Sequence, residues 1–356
     1  MTTEMLAEVD SASRCTEDDL ADLRAFKARM HGETSRLLDQ ARADWLFWRN
    51  PFRTGDPPTI WICRRDGKVV GTEAGIPFDL LVDGRHCRAS WAVELVVDPE
   101  WRGRGVGAAL SEAHRQACQV SGFLNVSTSG HRLLVRRQST DIGHIPMYFR
   151  LVDGRGILHW EGVPRHVRFL ARPLIAPALW ILDAAGRMRG ARTELVPVET
   201  FDQRADSLWQ TMAGHYPVIA RRDATWLRWR FDECPDRDQY LRYYVVHRRR
   251  LIGYLVLRRT TWSGCEALEI VDYLAAPRDM ARLLGSGVRV ARQLGVAALL
   301  CNTLNPRARS AFRSRGFLRR RNQGIRFFAF TSDAPLLGDI QNPAKWFVTS
   351  ADSDLD

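Results

Sequence analysis

Apolar and polar positions along the chain change period several times, and each change marks an element. Thr16-Glu17-Asp18-Asp19 sets a hydroxyl three residues ahead of an acid at the head of a helical stretch, the signature of a capping box. The apolar run T-I-W-I-C (59–63) is followed by the charged turn R-R-D-G-K and a second apolar run, which predicts a hairpin. A third strand, A-V-E-L-V-V-D (92–98), leads into glycines at 103, 105 and 107 and then a helix-like stretch, Ala108 to Val120. F-L-N-V-S-T (123–128) predicts a further strand, then a short helix and a last strand pair. Strands mixed with helices in this order predict an α/β (α+β layered) fold, a mixed central sheet flanked by helices.

The pattern occurs twice. W-L-F-W-R at 45–49 returns as W-L-R-W-R at 226–230, an offset of 181. The charged turn ending at Gly71 returns at Gly253, E-L-V-V (94–97) faces E-I-V-D (269–272), and N-V-S-T (125–128) faces L-C-N-T (300–303), with offsets of 182, 175 and 175. Chance matches would scatter, so the chain is read as an internal duplication, and a period this long indicates two related domains rather than a solenoid. The expected division is 1–155, a connector over 156–195, a second domain over 196–330, and a loose tail from 331 to 356. The paired tryptophans 45/48 and 226/229 suit helix-face packing.

Composition narrows the classes. The 356 residues exceed what one core usually organises. The net charge of +11 favours anionic partners. The basic residues are nearly all Arg, however, scattered through every segment, and no nucleic-acid reader motif occurs. Seven Cys without a C-x-x-C pair suggest reduced thiols in a cytoplasmic protein and offer no metal-ligand spacing. No signal-peptide core and no run of membrane-span length is found. The run Val167–Leu182 is interrupted by Arg and Pro, which suits a linker and leaves peripheral membrane contact open.

The glycine loop carries the candidate chemistry. A strand, a glycine loop and a helix place free backbone N–H groups at a helix N-terminus, where the dipole favours anions. The loop ends G-V-G-A, not G-K-[ST], so it is not a phosphate loop of the nucleotide-hydrolase type. Its spacing, G-x-G-x-G, is not the dinucleotide fingerprint either. A tight turn that merely needs small residues is the plain alternative. The wider string V-V-D-P-E-W-R-G-R-G-V-G-A-A-L (96–110) closely resembles the coenzyme A loop of the GCN5-related N-acetyltransferase (GNAT) family, with Val97, Pro99, Arg102, Gly103, Gly105, Val106 and Gly107 in the family's order. The second half resembles the family in its later helix, N-P-R-A-R-S-A-F-R-S-R-G-F (305–317). At the loop position, though, it reads P-R-D-M-A-R (277–282), without glycine and with Asp279. The resemblance thus implies a tandem form with one cofactor-binding domain and a degenerate second one.

What the resemblance implies is an acyl-CoA donor, most often acetyl-CoA, and an amine acceptor (a small molecule, sugar or peptide) that attacks the thioester directly in a ternary complex. Val96 and Val97 are expected to pair with the pantetheine arm, and residues 102–107, including Arg104, to hold the pyrophosphate. A backbone N–H near Val96 would stabilise the developing oxyanion. Glu94, on the same strand face as Val96 by simple alternation, is the candidate general base, raised in pKa by partial burial; pairing with an arginine is its structural alternative. No tyrosine stands on the later helix, so Tyr148 is the candidate acid, with His131 and His144 behind it. Asp352 and Asp354 are read as a solvated tail or, folded back, as partners for a cationic acceptor. Two alternatives stay open: a Fem-type transferase using aminoacyl-tRNA, and a non-catalytic binding module.

Overall fold

The computed structural model describes residues 11–55, 58–153, 193–352 and 354, with Pro164, His166, Val167 and Pro177 between them. The expected connector and its apolar run lie almost wholly outside the described residues. The chain forms two compact units that are not consecutive in sequence. The first runs to Gly143 and adds Glu233–Pro235 and Arg326–Pro343; the second takes His144–Asp232, Asp236–Ile325 and the residues from Ala344 onward. Each unit is a mixed sheet flanked by helices, the expected fold class. No helix among the described residues is long and apolar enough to cross a membrane.

In the first unit the capping box closes as the sequence implies. The Thr16 amide and hydroxyl both donate to Asp19 Oδ2 at 2.8 Å, ahead of α1 (Leu20–His31). A short helix, α2 (Gln40–Ala43), runs into a π-helical turn over Asp44–Trp48, which buries Trp45 and Phe47. Strands β1 (Ser13–Arg14), β2 (Ile60–Arg65), β3 (Lys68–Val82) and β4 (Arg85–Val97) pair antiparallel in that order. Asp66 and Gly67 turn β2 into β3 with φ of 48° and 73°, the positive-φ pair that matches strand twist. Helix α3 (Val106–Gln116) then crosses over, so β5 (Val120–Leu124) lies parallel to β4. Helix α4 (Thr128–Arg136) follows, capped by the Ser127 hydroxyl.

The next strand, β6 (Thr140–Leu151), leaves this unit. The strand antiparallel to β5 comes instead from the far end of the chain: Phe327–Thr331 of β13 (Leu318–Thr331) pair with Val120–Leu124. The second unit repeats the design and also contains β7 (Glu194–Pro197), α5 (Gln203–Met212), β8 (Val218–Ala220), α6 (Ala224–Leu227) and α8 (Arg309–Ser314). Strands β9 (Tyr240–His247), β10 (Arg250–Trp262) and β11 (Cys265–Ala275) form an antiparallel meander, and helix α7 (Met280–Gln293) crosses to β12 (Ala298–Leu304), parallel to β11. Here the strand antiparallel to β12 is β6, with Met147–Leu151 facing Ala298–Asn302. The expected consecutive division at 155 and 196 therefore gives way to an exchange of last strands. Each W-L-x-W-R repeat lies where a short helix runs into a π-helical turn, but the turns differ in register: Asp44–Trp48 begins before the first repeat and Arg228–Asp232 begins within the second.

Among the described residues the tail is not loose. Helix α9 (Ala334–Ile340) and strand β14 (Trp346–Thr349) are ordered. Asp352 is buried against Arg222 at 2.5 Å and accepts from the Thr349 amide at 2.9 Å. Its carboxylate is spent on a core arginine, and the buried apolar strand W-F-V-T supplies the burial that draws this segment inward.

Candidate functional site

The site starts from a register slip between β3 and β4. Ala74 faces Val93 and Thr72 faces Val96, so Glu94 and Leu95 together oppose Glu73. This is a β-bulge, and Glu94 adopts φ of +57°, the left-handed region. Strand parity changes across it. Ser90 and Ala92 pack toward α3 and α4 before the bulge, whereas Val97 packs with Val106 and Leu110 after it. Pairing of β4 with β5 also stops there, at Ala92–Phe123. From Val93 to Val97 the edge of β4 that faces β5 is open, and the two parallel strands leave a slot. The Asp98 amide donates to Val70 O at 2.9 Å, so by alternation the Val96 amide faces β3 and those of Leu95 and Val97 face the slot. The expectation for Val96 shifts by one residue for that reason.

The glycine loop closes the same end. Pro99–Trp101 make a short 3-10 turn capped by Asp98, which Arg29 of α1 pairs at 2.9 Å. Gly103 and Gly105 hold φ of +78° and +92°, and Gly105 is the left-handed N-cap of α3. Only glycine adopts these angles without strain. Among the described residues, the amides of Gly103, Gly105, Val106 and Gly107 meet no protein acceptor. Four free donors converge on one helix N-terminus. Arg104 and Arg65 flank the Trp101 ring, with guanidinium carbons 5.0 and 5.6 Å from its centroid. Arg102 bends back, its Nε donating to Val97 O at 3.1 Å, so it shapes the loop and holds a slot-facing carbonyl.

Among the described residues Glu94 pairs with no arginine. Its carboxylate meets the Lys27 ammonium of α1, and both side chains are over nine-tenths buried. Lys27 escaped the sequence reading, although it is one of only three lysines in the chain and stands beside the apolar positions Leu23 and Phe26 of α1.

Residues 56–148 match the family model described as an acetyltransferase (GNAT) domain. That stretch, less than half of the chain, is similar to a GNAT domain. Solved structures agree at the level of fold. A GCN5-related N-acetyltransferase from Anabaena variabilis superposes with a TM-score of 0.59 at 14% identity, covering 89% of this chain and 71% of that one. One from Kribbella flavida gives 0.57 at 16%, covering 94% and 74%. N-myristoyltransferase of Saccharomyces cerevisiae with bound myristoyl-CoA gives 0.52 at 11%, covering 91% and 82%. No functionally curated protein matches the sequence significantly.

Within residues 56–148 the structure gathers the 102–107 loop, Val96, Val97 and Glu94 at one end of the sheet. Tyr148 belongs to the second unit, where it pairs with Cys301 and stacks on Phe312 with ring centroids 4.3 Å apart. Burial raises its pKa further above the usual tyrosine value. His131 stays in the first unit, edge-on to Phe328, and His144 falls in the second. The acid expected at Tyr148 is thus not assembled with Glu94 in one unit.

The second unit keeps the frame and fills the site. β11 and β12 pair only as far as Ile270–Cys301. Beyond that point β14 pairs with Thr303 and Leu304 of β12, and the Ala351 amide donates to Val271 O of β11 at 3.2 Å. The chain's own C-terminal strand occupies that slot. At the loop, Asp279 is buried and paired with Arg250 (2.8 Å) and Arg282 (3.1 Å), so a carboxylate stands at the helix start. Glu269, which the 175-residue offset aligns with Glu94, lies before the β11 irregularity and inside the β11–β12 pairing, and is held by Arg258, Asn302 and Ser350.

Proposed function

We propose that the protein is an acyl-CoA-dependent N-acyltransferase, with acetyl-CoA the simplest donor, and that its first unit alone binds the donor. The observation that carries this reading is the combination of an open slot beside the β4 bulge with four unpaired amides at its end. The second unit has the same frame but a strand in the slot and Asp279 at the loop, which supports reading it as a degenerate copy.

In this reading the amides of Gly103, Gly105, Val106 and Gly107 hold the pyrophosphate, and Arg65 and Arg104 add positive charge beside it. The slot-facing backbone groups of Leu95 and Val97 pair with the pantetheine amides. Acyl-CoA supplies an acyl group already activated as a thioester. One of those slot-facing N–H groups polarises the carbonyl oxygen. Glu94 takes the proton that the acceptor amine must lose, directly or through water, and Lys27 holds the carboxylate in place. A thiolate is a good leaving group, and the scheme assigns no side-chain acid to it.

The test is calorimetric titration of the full-length protein with acetyl-CoA, followed by transfer assays on a panel of amines. The wild-type protein should bind one equivalent. Gly105→Trp should abolish binding, because the left-handed position and the amide cradle are both lost. Glu94→Gln should keep binding and lower turnover by about 10²-fold or more. Absence of acetyl-CoA binding to the wild-type protein, or unchanged binding by Gly105→Trp, would overturn the reading.

A further inference from the structure

The far end of α3 carries a second concavity that the acyl-transfer scheme does not use. It encloses about 300 Å³ and lies wholly within the first unit. That volume is at the small end of the range for ligand pockets. Phe52, Trp61, Phe78 and Ala117 supply apolar wall, and Ser90 and Cys118 place a hydroxyl and a thiol on it. It is separate from the donor slot. Ala117 and Cys118 stand just past the last turn of α3, about 16 Å along the helix from the glycine loop. Between the two, β4 and β5 are zipped together from Ala89–Val120 to Ala92–Phe123.

Its polar groups are built rather than incidental. Ser90 is 4% exposed, and its hydroxyl shares a hydrogen bond of 2.9 Å with His114 Nε2. The pair sits over Gly75, where a Cβ would come within 2.5 Å of Ser90 Oγ, so the glycine makes room for it. His114 is fully buried and neutral, pushed down to about 3 by desolvation. At the mouth, Arg88 is exposed and its guanidinium has no partner among the described residues. The rim's carboxylate, Asp79, is already engaged by His86 at 2.8 Å. The Arg88 charge acts on the Cys118 thiol across the wall, although burial dominates and pushes that thiol up to about 11. An apolar chamber with the Arg88 cation, unpaired among the described residues, at its mouth and the hydrogen-bonded hydroxyls of Ser90 and Thr59 inside complements a molecule with an apolar ring and a single carboxylate.

We infer that this pocket between the C-terminal end of α3 and the Pro51–Thr54 segment is a binding site for a small aromatic carboxylate, held by Arg88 at its acid group and by Ser90 within. The site stands independently of the acyl-transfer reading.

Phenylacetate and its neutral isostere phenylacetamide are the probes, titrated into the full-length protein and followed by ligand-observed NMR. Phenylacetate should bind and phenylacetamide should bind more weakly. Arg88→Glu should weaken phenylacetate by about tenfold or more and leave phenylacetamide unchanged, since the lost charged hydrogen bond and the added carboxylate–carboxylate repulsion act only on the charged ligand. Ala117→Trp should abolish binding of both by filling the chamber. Unchanged melting temperatures identify both variants as folded. Phenylacetate binding that survives both substitutions, or that coenzyme A displaces from the wild-type protein, would overturn the inference. Failure of coenzyme A to bind would strike only the acyl-transfer reading.

Discussion

Glu73 and His114 face each other inside the first unit with Oε1 and Nδ1 3.8 Å apart, too far for a hydrogen bond, and Glu73 Oε2 has no partner among the described residues. Burial drives both to their neutral forms: Glu73 is raised from 4.5 to about 8 and His114 lowered from 6.5 to about 3. The contact is therefore not an ion pair. Glu73 binds its proton more tightly when folded, so the stability it contributes is complete below 4.5 and is lost as pH rises to about 8. His114 acts in the opposite sense: its contribution is complete above 6.5 and is lost as pH falls toward 3. From 4.5 to 6.5 the two oppose each other, and above 6.5 Glu73 alone acts. Urea unfolding between pH 6.5 and 8 should show the wild-type protein losing about 1.4 kcal/mol per pH unit from this group, whereas Glu73→Gln removes that slope. Parallel pH profiles for the two proteins would contradict the assignment. Little of this was legible beforehand. Glu73 sits in T-E-A-G-I with nothing in its neighbours to mark it as buried, and His114 reads as one more polar position on a helix. Lys27 was hidden in the same way, because a long amine on an amphipathic helix usually snorkels to solvent.

Elements were easier to read than residues wherever the signal is local. Asp66-Gly67 fixes its hairpin by φ alone, Thr16 and Asp19 cap their helix within one turn, and the glycine loop announces a strand-to-helix junction. The bulge at Glu94 and Leu95 is different. It exists only as a mismatch between β3 and β4, two residues against one, and no single strand's sequence contains that count. The same limit explains β14. W-F-V-T is an apolar strand in plain view, but its place depends on Arg222 and Asp272, more than seventy residues away, which have no local pattern. Asp352 is the last link of that network. Asp352→Ala should destabilise the protein by roughly 3 kcal/mol, the lower end for breaking a buried charge pair, because Asp272 still reaches Arg222 at 3.2 Å. A chemical-denaturation midpoint equal to that of the wild-type protein would mean that the C-terminal strand is held by its apolar face alone.

At the scale of the whole molecule, the duplication visible in the repeated segments became an exchange of strands, and that has a consequence for what can fold alone. The expected domain 1–155 contains every residue of the donor slot but not β13. Without it, the outer edge of β5 loses its antiparallel partner and Phe328 leaves the cluster of Phe123 and Leu134. An unpaired apolar edge of that kind aggregates. A fragment spanning residues 1–155 should therefore lack a cooperative thermal transition. The missing piece can be returned in one chain. Arg326 pairs with Asp141 at 2.5 Å, so the end of the first unit at Gly143 lies close to the start of β13's contribution. Joining residues 1–143 through a short glycine-serine linker to 326–343 should restore a cooperative transition and, on the acyl-transfer reading, acetyl-CoA binding. Circular dichroism during a thermal ramp decides the structural half independently of the ligand. A fragment 1–155 that melts cooperatively without β13 would show the exchanged strand to be dispensable, and with it the claim that the first unit needs both ends of the chain.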